Sequence, residues 1–127
     1  MTLGRHLPSP PTTDAALSVT VRSCSGDYAE LSASGEIDYG SHRALLDALA
    51  EEIGRGRVRI VLELSGVTFC DSTGLGVFVR VRRRATEAGG WLRLAAVTTP
   101  VRRALQITNL DRLIPAYDTV DDAAREP

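Results

Sequence analysis

The tetrad Asp71-Ser72-Thr73-Gly74 packs a carboxylate and two hydroxyls between an apolar run and a helical pattern. At a helix start the first N–H groups lack intrahelical partners, and the positive end of the dipole lies there. Two chemistries suit such a place. The commoner is capping, in which Asp, Ser or Thr accepts from those N–H groups. The second is phosphoryl acceptance: a serine held there can carry a phosphate whose oxygens the free N–H groups receive. Gly74 and Gly76 keep this surface free of side-chain bulk, which would let another protein approach closely.

Other chemistries fit less well. Ser72 could act as a nucleophile with His42 as base and Asp38 or Asp71 as orienter, but no Gly-x-Ser-x-Gly elbow mounts the serine. His42 reads instead as a core or helix-start histidine. Asp38 and Asp71 could hold Mg²⁺, as in receiver-like proteins, but such a site also wants a lysine. All 15 basic residues are arginine, which also excludes Schiff-base chemistry. No phosphate loop is present. Cys24 and Cys70 have no ligand partners at metal spacing, so neither a metal nor a cofactor is expected. Cys70 reads as a small buried apolar residue rather than a redox sensor. Arg80, Arg82, Arg83 and Arg84 read as a solvated helix face near a C-terminal end, favourable to the dipole. They could also meet an acidic partner. The chain carries 15 basic against 16 acidic residues, net -1, so nucleic-acid binding ranks last.

The elements that must position these residues follow from periodicity. Leu17, Val19 and Val21 alternate with polar residues, as do Leu31 and Ala33; with the turn Ser25-Gly26-Asp27 they predict a hairpin. Gly35-Glu36-Ile37-Asp38 ends the second strand. His42, Leu45, Leu46, Leu49 and Ile53 form the stripe of a first helix, with Asp47, Glu51 and Glu52 off it. Val58–Leu64 is an apolar strand of the kind found inside a sheet. A second helix opens at Asp71-Ser72-Thr73-Gly74; its apolar face holds Gly74, Val77, Phe78, Val81, Ala85 and Ala88, and Gly89-Gly90 stops it. Trp91–Val97 is a fourth strand, with Trp91 as packing anchor. Thr99-Pro100 starts a third helix, and Asn109 can take its left-handed cap. Leu113–Tyr117 is a short fifth strand, and Thr119–Asp122 caps a last helical turn or two. The order β-β-α-β-α-β-α-β-α predicts an α/β fold: a mixed sheet of four or five strands with helices packed mainly on one side.

At 127 residues with 43% hydrophobic and 24% charged side chains, the chain fits one domain with a core of its own. Residues 1–16, with three prolines and no period, read as a flexible leader, and 17–125 as the domain. His6 falls in that leader. No apolar segment is long enough to span a membrane, and no signal core is visible, so a cytoplasmic protein is expected.

Phe69-Cys70-Asp71-Ser72-Thr73-Gly74-Leu75-Gly76, with the strand Val58–Leu64 before it, resembles the signature of STAS-domain anti-sigma factor antagonists. Gly35-Glu36-Ile37-Asp38 resembles that family's second motif, and Ile107–Tyr117 its third. The resemblance runs from about Leu17 to Arg125, with three motifs in register. It implies a switch rather than an enzyme. The unphosphorylated protein binds an anti-sigma factor that is also a serine/threonine kinase, and so frees the sigma factor. The kinase phosphorylates Ser72 and the complex dissociates; a PP2C-type phosphatase restores the active form. Thr73 stands where many members have a second serine, and is a competing acceptor. Asn109 replaces a common glycine. The partner surface is expected to run from Asp38 and Ser41 to Asp71, Thr73, Gly74, Leu75 and Gly76, with Leu75 as an exposed apolar contact. The rival reading is a STAS scaffold or adaptor in a larger signalling or transport assembly. Oligomeric state is left open.

The size of such a switch follows from Coulomb's law. A phosphate adds about -1.5 to -2 charges. At an effective dielectric of about 20, a dianion about 6 Å from a carboxylate is repelled by roughly 5 kcal/mol before screening. An interface losing half of that weakens by roughly 50- to 100-fold. The helix N-terminus offsets about 1–2 kcal/mol in the free protein.

Overall fold

The computed structural model describes residues 12–13, 16–24 and 28–125. Most of the leader, including His6, and the turn at 25–27 lie outside them. The elements run β1 (Thr12–Thr13), β2 (Leu17–Cys24), β3 (Ala29–Ile37), α1 (His42–Gly54), β4 (Arg59–Cys70), α2 (Ser72–Glu87), β5 (Trp91–Ala95), α3 (Thr99–Ile107), β6 (Ala116–Tyr117) and α4 (Val120–Arg125), with a 3₁₀ turn at Leu110–Arg112. The strands form one sheet in chain order. β1, β2 and β3 pair antiparallel, and β3 to β6 run parallel. The five expected strands are present, but the third of them runs on to Cys70 and the one expected over Leu113–Tyr117 is only Ala116–Tyr117, following the 3₁₀ turn. The two residues of β1 add a sixth, inside the segment read as leader, where two threonines offer no period.

The sheet has two unequal faces. Leu31, Ala33, Ile60, Leu62, Leu64, Leu92 and Leu94 join Leu45, Leu49, Val77, Phe78, Val81, Val101 and Leu105 in one core under α1, α2 and α3. Each large aliphatic or aromatic side chain in such a core contributes about 1.5–3 kcal/mol by leaving water. On the other face Val61, Ala95 and Ala123 form a small cluster under α4, ringed by Tyr28, Trp91 and Tyr117. There the Arg93 guanidinium lies 3.9 Å from the Trp91 ring centroid and donates to the Ala123 carbonyl at 2.8 Å.

Three details differ from the sequence pattern. Glu52, expected off the apolar stripe, is 1% exposed. It follows Leu49 by three residues and Leu45 by seven, so it shares their face; Arg55 and Arg57 pair with its carboxylate. Ala88 is exposed because it is already the cap that ends α2. The third helix is capped at Thr98, one residue early; that hydroxyl donates to the Val67 carbonyl at 2.6 Å and accepts no bond from a helix N–H. Asn109 does adopt the left-handed conformation, with φ 61°. At Gly90 a Cβ would stand 1.9 Å from the Val58 carbonyl oxygen, so only glycine lets β5 enter beside β4.

Candidate functional site

Parallel pairing brings the two motifs together. Ile37 is in register with Cys70, so β3 and β4 release their chains at the same edge. The Asp71 N–H donates to the Ile37 carbonyl at 3.1 Å, continuing the ladder one residue into the loop. Open parallel sheets place binding sites at this carboxyl edge.

Most polar groups here are engaged in holding the shape. Asp71 is the N-cap of α2, and its Oδ1 accepts from the Gly74 N–H at 3.0 Å. Asp38 Oδ1 accepts from the Ser41 N–H at 3.0 Å. The Ser41 hydroxyl donates to the Glu36 carbonyl at 2.6 Å and accepts from the Asp38 N–H at 3.0 Å. These reciprocal bonds close the loop that starts α1. The His42 Nδ1 lies 2.7 Å from the Tyr39 carbonyl oxygen, and its ring stacks at 5.8 Å on Tyr39. It is a helix-start histidine.

Ser72 differs. It is exposed at the first position of α2, and its hydroxyl has no partner among the described residues. The N–H groups of Ser72 and Thr73 also lack an acceptor among them, as expected for a first helical turn. Thr73 is half-buried. Gly76 is partly exposed, and a Cβ there would meet nothing within 4 Å.

Three expected surface residues belong to the interior. Leu75 is 6% exposed and packs in the main core; it precedes Phe78 by three residues and so shares its face. Ser41 is 1% exposed, its hydroxyl turned to backbone. Gly74 is buried for a different reason from the one expected. A Cβ would lie 2.6 Å from Ile37 Cγ2 and 2.7 Å from Cys70 Sγ. Its missing side chain lets α2 sit against the end of β3.

Two exposed aromatics were missed. Tyr39, 79% exposed, stands in the loop after Asp38, and Phe69, 47% exposed, is paired in register with Glu36. A two-residue period from inward Val67 would bury Phe69; a register shift between Gly35 and Glu36 breaks that period and turns it outward, so no local signal marks Phe69 or Tyr39. The Cys70 thiol is pushed up to about 12, first by burial and then by the Asp71 charge. It stays protonated and packs as a small apolar group.

The STAS domain family matches residues 22–123, spanning every motif described above. The chain belongs to the STAS-domain family. Among the relatives of this STAS domain, the anti-sigma F factor antagonist of Paenibacillus polymyxa is 33% identical over 94 residues, 73% of this chain and 80% of that one. The anti-sigma-F factor antagonist RsfB of Mycobacterium tuberculosis is 30% identical over 110 residues, 85% of this chain and 87% of that one. The crystal structure of an anti-sigma factor antagonist from Mycobacterium paratuberculosis superimposes with a TM-score of 0.78 at 27% identity, covering 90% of this chain and 98% of that one. Such STAS proteins are regulatory binding proteins, not enzymes. Among the described residues no helix is long and apolar enough to cross a membrane.

Proposed function

We propose that this STAS domain is an anti-sigma factor antagonist that binds an anti-sigma factor kinase in the cytoplasm and is switched off by phosphorylation of Ser72. The observation that carries the reading is the state of the polar groups at the start of α2. Asp38, Ser41 and Asp71 each hold backbone in place, while the exposed Ser72 hydroxyl holds none among the described residues. It is thus available to a partner without loss of structure. The names of the two bacterial relatives support the antagonist role.

The kinase transfers the γ-phosphoryl group of ATP to Ser72 Oγ. A P–O bond forms, the hydroxyl proton leaves, and ADP departs. Within the free domain the N–H groups of Ser72 and Thr73 and the helix dipole receive the new charge, so the phosphoprotein stays folded. Toward the partner, that charge adds to Asp71 and Asp38. Thr73, half-buried, is the poorer acceptor. Exposed Tyr39, in the loop after β3, and Phe69, near the end of β4, supply the apolar part of the contact that buried Leu75 does not. A PP2C-type phosphatase returns the hydroxyl. The fold provides position; the charge of one side chain provides the switch.

The test is the affinity of the partner kinase for four forms: unmodified, phosphorylated in vitro, Ser72→Ala and Ser72→Asp. The phosphorylated form should bind roughly 50- to 100-fold more weakly, and Ser72→Ala should bind as the unmodified protein does. Equal affinity for phosphorylated and unmodified protein overturns the switch and favours the scaffold reading.

A further inference from the structure

The second half of α2 carries a feature the switch does not use. Arg80, Arg83, Arg84 and Glu87 follow one another at i, i+3, i+4 and i+7, and with Leu46 of α1 they line a depression of about 300 Å³. A second depression, sharing Arg84 and Glu87, continues it over Ala50, Ile53 and Gly54. Together they make one groove between α1 and α2. The span from Leu46 to Ile53 is about 10 Å, two helical turns. Arg80, Arg83 and Arg84 make no ion pair or hydrogen bond among the described residues, whereas Arg55, Arg57 and Arg125 all pair with carboxylates. Three unpaired guanidinium groups thus stand over a floor that is partly aliphatic, in a chain whose net charge is -1.

We infer that this groove is a second docking site, which takes an acidic amphipathic helix of a partner protein. Charge complementarity selects carboxylates: guanidinium groups pair with them in a two-point fork. Ala50 and Ile53 receive the aliphatic residues of the same helix. A nucleotide fits less well. Among the described residues no aromatic ring lines the groove for a base, and no helix N-terminal residue lines it for a phosphate. The site begins about 12 Å along α2 from Ser72, counted at the helical rise. Its occupation is independent of the phosphorylation state and of the function proposed for Ser72.

A synthetic helical peptide tests this, with Glu at i, i+3, i+4 and i+7 and Leu between, titrated against the full chain by fluorescence anisotropy. Binding should weaken steeply between about 50 and 300 mM salt. It should fall roughly ten-fold in the double variant Arg83→Glu, Arg84→Glu and stay within two-fold in Ser72→Asp. Amide NMR shifts should map to residues 46–54 and 80–88. Arg83→Gln, which only removes charge, should give an intermediate loss and keeps the test valid if the reversal unfolds the chain. The site is overturned if the peptide does not bind, if a Gln-for-Glu peptide binds equally, if the shifts map elsewhere, if ATP binds in preference, or if the groove proves to be covered by a second copy of this chain. None of these outcomes depends on Ser72, so a failed switch and a failed groove are told apart.

Discussion

The two ends of α2 are built on opposite plans. At the N-terminal end the Asp38 and Asp71 carboxylates and the Ser41 hydroxyl are all occupied. Asp71 holds Gly74, the backbone of Asp71 holds Ile37, and Asp38 and Ser41 hold each other. Among the described residues two hydroxyls are left over, Ser72 and Thr73, and only Ser72 is exposed. Along the C-terminal half the reverse holds: Arg80, Arg83 and Arg84 stand unpaired among the described residues above a shallow groove. The first end is rigid and exposes one chemical variable. The second is accommodating and has several charges. Groups engaged with the backbone fix shape, and groups left free are those a partner or an enzyme can use. A side chain's type does not say which it is; its hydrogen bonds do.

This contrast can be broken at the rigid end. Gly74→Val should have the largest effect, because Ile37 and Cys70 already occupy the space of a Cβ. We expect a loss of about 3 kcal/mol or more in urea unfolding, as for an overpacked core. A stability near that of the parent would mean that α2 can slide off β3. Ser41→Ala comes next. It strips a donor from the Glu36 carbonyl and an acceptor from the Asp38 N–H, at about 1–3 kcal/mol. Hydrogen exchange should quicken first at residues 36–42. Asp71→Ala removes the cap of α2 and should cost about 1 kcal/mol, read as a lower Tm.

A gentler comparison uses pH on the far face of the sheet. Burial raises the Glu63 carboxyl, but hydrogen bonds from Ser65 and Ser32, with the Arg22 charge nearby, outweigh it and hold the group below the usual carboxylate range. A carboxyl depressed in the folded state contributes stability that is full above its unfolded value, near pH 4.5, and is lost as pH falls through the lower folded value. Glu63→Gln should therefore narrow the stability difference between pH 6 and pH 3. An unchanged difference would show that the three bonds contribute nothing to it. The smallest effect belongs to Ser72→Ala, within about 0.5 kcal/mol of the parent, since its hydroxyl holds nothing among the described residues. A larger loss would remove Ser72 from the class of free groups and with it the contrast between the two ends.

Much of the architecture could be read from residue order. Alternation at Leu17–Val21, the stripe from Leu45 to Ile53 and the stop at Gly89-Gly90 are local signals, and the strand and helix order follows from them. Burial around the site was less legible, because it depends on how the elements meet. Leu75 looks exposed beside two glycines and a polar triplet. Its place three residues before Phe78 carries it inward once α2 lies on the sheet. Ser41 looks like a surface hydroxyl until the loop folds back and turns it onto Glu36. Glu52 shows the same limit from the other direction: its charge hides a core position that Arg55 and Arg57 make tolerable. Tyr39 is exposed for no reason that its neighbours in sequence display.

The bond from Asp71 to the end of β3 joins stretches more than thirty residues apart. On the function proposed for Ser72, the surface around it is therefore a discontinuous epitope. A linear peptide copying residues 69–76 has the hydroxyl but neither the neighbouring loop nor the capped first turn, so it should be a poor substrate for any kinase that reads both. Recognition of this kind doubles as a check on folding: a chain that has not closed its parallel crossover offers nothing to bind, and a damaged copy drops out of the regulatory circuit without needing a separate signal.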